Sequence, residues 1–246
     1  MDRLLYVSSV GLRNVEMAQA ARAHNLANVS TPGFRADLAR VQSEEVAGDG
    51  YRGRVYGVNQ ESGVNMAQGP LVETQRPLDV AVSGEGLFTV LRPDGTEAHT
   101  RSGRFTVDAT GRLLSEQGFQ VMGRIGPIAL PPFESLVFGA DGSVTVQPQG
   151  QGPENLVQID QLKLVNPEPN QVRKDSMGML TSNDGVPFEI DDGVTVTSGF
   201  IESSNVNAIE EITEIITLAR QFELEVRMMR TAQTNDEAAA QLLRIG

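Results

Sequence analysis

Residues 212–243 read ITEIITLARQFELEVRMMRTAQTNDEAAAQLL, and the spacing within this stretch decides what kind of fold the chain can have. Ile212, Ile215, Ala219, Phe222, Val226, Met229, Gln233, Asp236, Ala240 and Leu243 follow one another in alternating steps of three and four. Eight of those ten positions are apolar, which is the register of a left-handed helix–helix seam. No Gly or Pro interrupts the chain from Phe200 to Ile245. Asn207 with Glu210 three residues on has the form of a capping box. The spacing predicts a long helix, with Gln233 and Asp236 leaving a polar patch in its seam.

A helix with an apolar stripe needs a partner, and the other end of the chain offers one. Residues 1–29 contain no Pro and one Gly, with Leu5, Leu12, Val15 and Leu26 on one stripe. Met17, Ala20, Ala21 and Ala23 are read as small contacts around it. The pattern stops at Ser30-Thr31-Pro32-Gly33, where Pro disfavours helix in the residue before it and Gly permits a turn. Charge favours pairing of the two ends. Residues 1–40 carry five Arg against three acids, a net of +2, and residues 200–246 carry four Arg against eight acids, a net of −4. Such exposed pairs add only about 0.2–1 kcal/mol each.

Between the ends the period changes. Asp79–Val82, Leu87–Leu91, Arg104–Val107, Ser143–Val146 and Gly193–Val196 are short runs rich in β-branched or aromatic residues. Turn pairs such as Asp94-Gly95, Thr110-Gly111, Asp141-Gly142 and Asp192-Gly193 lie beside them. The expected class is α+β: long N- and C-terminal helices packed as a coiled-coil-like pair, flanking a mostly antiparallel β-domain. The expected divisions are 1–33 for the first helix, 34–70 for an extended or irregular connector, 71–199 for the β-rich domain and 200–246 for the last helix.

Composition narrows the chemistry. The chain has 246 residues, a net charge of −12, no Cys and two His. Without Cys there are no disulfides, thiolate metal sites or cysteine nucleophile. Two histidines do not make a histidine-rich metal centre. The acidic balance speaks against a phosphate-binding groove, so no nucleic acid is expected as a partner. No window approaches the roughly 18 apolar residues of a membrane span, so no direct membrane insertion is expected. Leu4–Val7 is cut short by Ser8-Ser9, unlike a cleaved signal. The chain is therefore expected in the cytoplasm or exported by a route that needs no such signal.

Several local patterns have plain readings. Gly84-Glu85-Gly86 is a fragment of a phosphate loop without the rest, and a β-turn is favoured. Asp94-Gly95 and Asp191-Asp192-Gly193 lack the twelve-residue calcium-loop spacing, and turn chemistry is favoured there too. His24, beside Asn25 and Asn28, reads as a polar contact at a subunit interface. His99 has no G-x-S-x-G elbow to serve. Met17, Met228 and Met229 read as packing residues. Asn25, Asn28, Asn205 and Asn207 have two compatible readings: ordinary caps, or side chains that fix the bends where the terminal helices meet the β-domain.

Four segments carry a resemblance. Ala23-His24-Asn25-Leu26-Ala27-Asn28-Val29-Ser30-Thr31-Pro32-Gly33-Phe34-Arg35 resembles the N-terminal signature of the bacterial flagellar rod and hook proteins. Residues 77–88 (PLDVAVSGEGLF), 100–108 (TRSGRFTVD) and 199–207 (GFIESSNVN) resemble that family's entry into its β-domain, its hairpin and its turn before the last helix. The start Met1-Asp2-Arg3, residues 126–131 (GPIALP) and residues 162–165 (LKLV) are more similar to proximal than to distal rod subunits.

The resemblance implies a non-enzymatic structural subunit of the proximal rod of the basal body, spanning the periplasm and needed for motility. It implies polymerisation through the terminal helices into a torque-transmitting shaft around a central channel. The partners would be proximal and distal rod subunits, copies of the chain itself, and the flagellar export apparatus. No catalytic residue, cofactor or metal is expected. The candidate assembly residues are Leu5, Leu12, Val15, Leu26, Asn25, Asn28, Pro32, Phe34, Asn205, Asn207, Ile212, Ile215, Ala219, Phe222, Val226, Met229 and Leu243. A distal rod subunit is the alternative within the family. A glycan hydrolase using two of the 21 acids between 41 and 199 is the alternative outside it, and no spacing singles out a pair.

Overall fold

The computed structural model describes residues 2–45, 55–150, 152, 155–175 and 177–245; the side chains at 2–7, 39–62, 236, 239 and 242–245 lie outside the description. The chain forms two compact units, each assembled from separated segments.

The first unit comprises Met1–Ala27, Asp37–Gly63 and Asn207–Gly246. Helix α1 spans Asp2–Ala27 and helix α2 spans Ala208–Ile245. At 1.5 Å per residue the 26 residues of α1 run about 39 Å and the 38 of α2 about 57 Å. The two helices pack together, and they are antiparallel: the end of α1 meets the start of α2 through Arg22 and Glu211, whereas Gly11 lies beside the Glu225 carboxylate. Strands β1 (Asp37–Glu45) and β2 (Val55–Val64) form a two-stranded sheet, and β1 packs on α1. The sequence region read as an extended or irregular connector thus holds two of the longest strands in the chain. Its polar, Gly-interrupted composition hid them from a search for β-branched runs.

The second unit, Asn28–Ala36 with Val64–Val206, is β-structured. Strand β3 is Leu71–Glu73, β4 Val80–Ser83, β5 Leu87–Leu91, β6 Glu97–Thr100, β7 Thr106–Val107, β8 Leu113–Leu114 and β9 Gln120–Val121. They are followed by β10 (Phe133–Phe138), β11 (Ser143–Pro148), β12 (Val157–Gln161), β13 (Leu164–Val165), β14 (Val172–Lys174), β15 (Leu180–Ser182), β16 (Thr195–Ser198) and β17 (Phe200–Glu202). The largest sheet runs β14-β15-β6-β5-β9-β8-β7, with β13 also on β5. Strands β10-β11-β12 form a second sheet, and β16-β4 and β17-β3 are two-stranded pairs. Every one of these pairings is antiparallel.

Alternation along the strands places one face inward, as on β11, where Val144 and Val146 are buried. Their neighbours in the core include Val80, Val82, Phe88, Val90, Phe105, Leu113, Phe138 and Leu162. Phe88 and Phe105 meet edge to face at 5.3 Å. The turn acids serve the turns. Asp94 accepts from the Thr96 N–H and hydroxyl, Asp141 from the Ser143 N–H, and Asp191 from the Gly193 N–H. Those bonds stabilise the charged form and hold Asp94 and Asp141 below the usual carboxylate range.

Candidate assembly surface

In the first unit, the facing sides of α1 and α2 carry Val15 and Ala232 fully buried, with Leu12, Leu26, Ile215, Leu218, Ala219, Phe222, Val226 and Met229 half-buried. The predicted period is present, but its phase at the two ends is shifted by one residue. Ile212 is 47% exposed and its neighbour Glu211 is buried; Gln233 is exposed and Ala232 is buried. The reason at the upper end is electrostatic. Arg22 reaches both Glu211 oxygens at 3.3 Å, and Asn25 Nδ2 donates to Oε1 at 3.1 Å, so the carboxylate is held in the seam and Ile212 turns outward. At the lower end, Gln233 bonds Glu237 one turn on, outside the seam. Met17, Ala20 and Ala23 are likewise exposed instead of surrounding the α1 stripe, and only Ala21 flanks it. Met228 is exposed as well, whereas Met229 packs in the seam.

Asn25 is fully buried and uses its whole amide. Its Oδ1 accepts the Asp37 N–H at 2.8 Å, and Nδ2 donates to the Asp37 carbonyl at 3.0 Å as well as to Glu211. His24 Nδ1 lies 2.6 Å from Asp37 Oδ2, so its contact is within the chain. Asn207 caps α2: its Oδ1 accepts the Ile209 N–H at 3.1 Å. The side chains of Leu5 and Leu243 lie outside the described ones.

In the second unit, the segment after α1 is bonded to the segment that precedes α2. Asn205 Oδ1 accepts the Ala36 N–H at 2.7 Å, and its Nδ2 donates to the carbonyls of Asn65 and Ala67, each at 2.9 Å. Gly33 N–H donates to the Glu202 carbonyl at 2.8 Å. Gly33 has φ +68°, and a Cβ there would strike the backbone of Arg101 and Ser102, so both conformation and space demand glycine. Phe34 is buried under the Lys174 ammonium, 3.7 Å from its ring centroid. Pro32 and Asn28 are half-buried in the turn, where Asn28 accepts from the Thr31 hydroxyl.

A buried charge cluster anchors this region and was not singled out in the sequence. Glu202 accepts from Arg35 at 2.5 Å and the Gly69 N–H at 2.7 Å on Oε1, and from Arg101 Nε at 2.5 Å on Oε2. Arg101 also donates to the carbonyls of Val82, Gly84 and Gly86. Burial lowers the Arg35 pKa, against the opposing pull of Glu202. The available signal was that Arg35, Arg101 and Glu202 each belong to a different one of the quoted motifs.

Large apolar residues remain outside both cores. On α2, Ile209 is 78% exposed and Ile216 50%, with Leu224 and Met228 also outward. They give α2 apolar side chains that neither core covers.

Comparison with known proteins fits these arrangements. Residues 197–242 match the family described as flagellar basal body rod FlgEFG protein C-terminal, and residues 81–151 match the flagellar hook protein FlgE/F/G D1 domain. The flagellar basal-body rod protein FlgF of Salmonella typhimurium is 34% identical over 249 residues, covering 99% of both chains. FlgF of Escherichia coli is also 34% identical with the same coverage. The flagellar basal-body rod protein FlgG of Buchnera aphidicola subsp. Schizaphis graminum is 30% identical over 97% of this chain and 98% of its own. With its two domain matches in the order its β-unit and second helix require, and relatives aligned end to end, the chain belongs to the flagellar basal-body rod protein family.

Proposed function

We propose that this chain is a structural, non-enzymatic subunit of the bacterial flagellar rod, in its proximal part, and that it assembles through the helical unit. The observation that carries the reading is the end-to-end similarity to proteins named flagellar basal-body rod protein FlgF. The greater identity to those relatives than to FlgG favours the proximal over the distal position. The outward isoleucines of α2 support assembly, because they give the helical unit apolar surface still to be buried.

In this reading the rod transmits torque, and stiffness comes from helices packed side by side between subunits. Ile212 and Ile216 would contact neighbours. Leu12, Val15, Leu26, Ile215, Ala219, Phe222, Val226 and Met229 would hold the helix pair in the shape that neighbours recognise. Asn25, Phe34 and Asn205 would contribute by fixing backbone through bonds inside the chain. The other rod subunits would be the neighbours, and the flagellar export apparatus would deliver the chain to a rod that crosses the periplasm.

The test is replacement of the native gene by a tagged copy carrying Phe222→Asp. A charge in the half-buried seam should disrupt the α1–α2 pair while leaving the β-unit folded. The expected result is non-motile cells whose purified basal bodies lack the tag, beside a motile unsubstituted control whose basal bodies contain it. Absence of the unsubstituted tagged chain from basal bodies of motile cells would overturn the rod reading.

A further inference from the structure

The outward face of α2 has a composition that the apolar count understates. Ile209, Ile212, Thr213, Ile216 and Thr217 occupy positions i, i+3, i+4, i+7 and i+8, one continuous face on the side away from α1. Both threonine hydroxyls are turned inward. Thr213 Oγ1 donates to the Ile209 carbonyl at 2.8 Å and Thr217 Oγ1 to the Thr213 carbonyl at 2.9 Å. With those hydroxyls occupied, the threonines present methyl groups. The first turns of α2 therefore expose an uncharged ridge made wholly of β-branched side chains, which lose little rotamer freedom on contact. Further down, the same face carries Arg220, Glu223 and Arg227, all exposed.

The outward face of α1 is its complement. Ser9, Arg13, Glu16, Ala20, Ala23 and Ala27 are all exposed and recur at the same alternating steps of four and three. Laid antiparallel along α2, this face puts Ala27 opposite Ile209, Ala23 opposite Thr213 and Ala20 opposite Ile216. The same register sets Glu16 opposite Arg220 and Arg13 opposite Glu223. Bulky side chains meet small ones, and each acid meets a base.

Within one chain these two faces point away from each other, so they cannot meet internally. We propose that the Ile209–Thr217 ridge of α2 docks the Ala20–Ala23–Ala27 face of α1 from a second copy of this chain. The contact is heterologous: each copy offers a ridge on one side and a floor on the other, which builds a ring or an open array instead of an isologous pair. The proposal deepens the rod reading, which supplies its setting, by naming the partner and the two surfaces.

The chain contains no Cys, so paired cysteines report the contact cleanly. Full-length Ile216→Cys and Ala20→Cys variants carrying different tags are mixed, mildly oxidised and scored for a disulfide dimer bearing both tags. The expected result is at least a tenfold excess of the mixed dimer over dimers from either variant alone. Arg13→Glu in the Ala20→Cys chain should lower the yield several-fold, and Glu223→Arg in the Ile216→Cys chain should restore it. Helical circular dichroism of each variant verifies that the pair of helices persists. No mixed dimer, or 216–216 dimers only, overturns the proposal. The same cysteines are then oxidised in cells, and purified basal bodies are scored for the tag and for adducts. Tagged chain in the rod with residue 216 joined only to a different protein overturns the second-copy partner and leaves the rod reading standing. Mixed dimers from the purified chain, with no tag in the basal bodies, overturn the rod reading and leave the docking face.

Discussion

Asn25, in the last turn of α1, donates its Nδ2 to Oε1 of Glu211 at 3.1 Å in the first turn of α2, and both residues are buried. Because the same amide also takes both the N–H and the carbonyl of Asp37, three bonds depend on one side chain. Asn25→Ala should cost about 2–4 kcal/mol, since it leaves buried polar groups without partners. Denaturant unfolding followed by the helical signal measures this. Asn25→Asp should do at least as much harm, by setting a second carboxylate against Glu211. A cost below about 0.5 kcal/mol for Asn25→Ala would show that the bonds are replaceable by water.

Glu202 sits between two guanidiniums with no solvent access. Replacing it by Gln keeps the shape and removes the charge, which leaves Arg35 and Arg101 buried without a counter-ion. The expected loss is about 3–5 kcal/mol. It should appear in the unfolding of the β-unit, measured by amide exchange at Val80–Val82 and Leu87–Val90. Full retention of stability would mean that the backbone carbonyls around Arg101 suffice.

His99 gives the β-unit a pH dependence. Its ring is buried, 5.0 Å from Phe188 and within 3.2 Å of the Thr89 hydroxyl. Burial, with the positive charges of Lys163 and Arg92, lowers its pKa from 6.5 to about 4. Between those values the unfolded chain binds a proton that the folded chain does not. Stability from this group is therefore complete above pH 6.5 and declines as pH falls toward 4. From pH 7 to pH 5 the loss should be roughly 2 kcal/mol. His99→Gln should flatten that part of the stability profile, and a profile with unchanged slope would assign the dependence to other groups.

Amide exchange in the purified chain should be uneven. The helical unit buries only Val15 and Ala232 among the described apolar side chains of its two helices, whereas the β-unit encloses a large continuous core. Protection should be low across 8–27 and 208–235 and high at Val80–Val82, Leu87–Val90 and Val144–Val146. Equal protection throughout would show that the helix pair is as stable alone as the sheets.

Period was the legible quantity. The three-and-four spacing located α2, and the β-branched runs with their turns located β4, β5 and β11. Phase was less legible, because apolar character alone assigns Ile212 to the seam, whereas Arg22 and Asn25 recruit Glu211 there. The opposite net charges of the two ends anticipated that kind of contact without naming its members. Strand β13 is held by β5, far along the chain, and strands of two residues such as β8, β9 and β13 carry no period of their own. The Arg35–Glu202–Arg101 cluster was hidden for a related reason. Each member looks like an ordinary surface charge until the fold brings residues 35, 101 and 202 together.

The interleaving of segments also sets an order of events. In a chain supplied from its N-terminus, α1 arrives first and its partner α2 last, separated by the whole β-unit. Closing so long a loop directly is entropically slow. Once the β-unit has folded, however, Ala36 is bonded to Asn205, so α1 ends nine residues before, and α2 begins three residues after, a fixed point. The search between α1 and α2 then becomes short-range, and the apparent contact order of the helical unit collapses. Refolding should accordingly show β-structure forming first, with the helix pair closing in a later, faster-than-expected phase that Asn205→Ala slows.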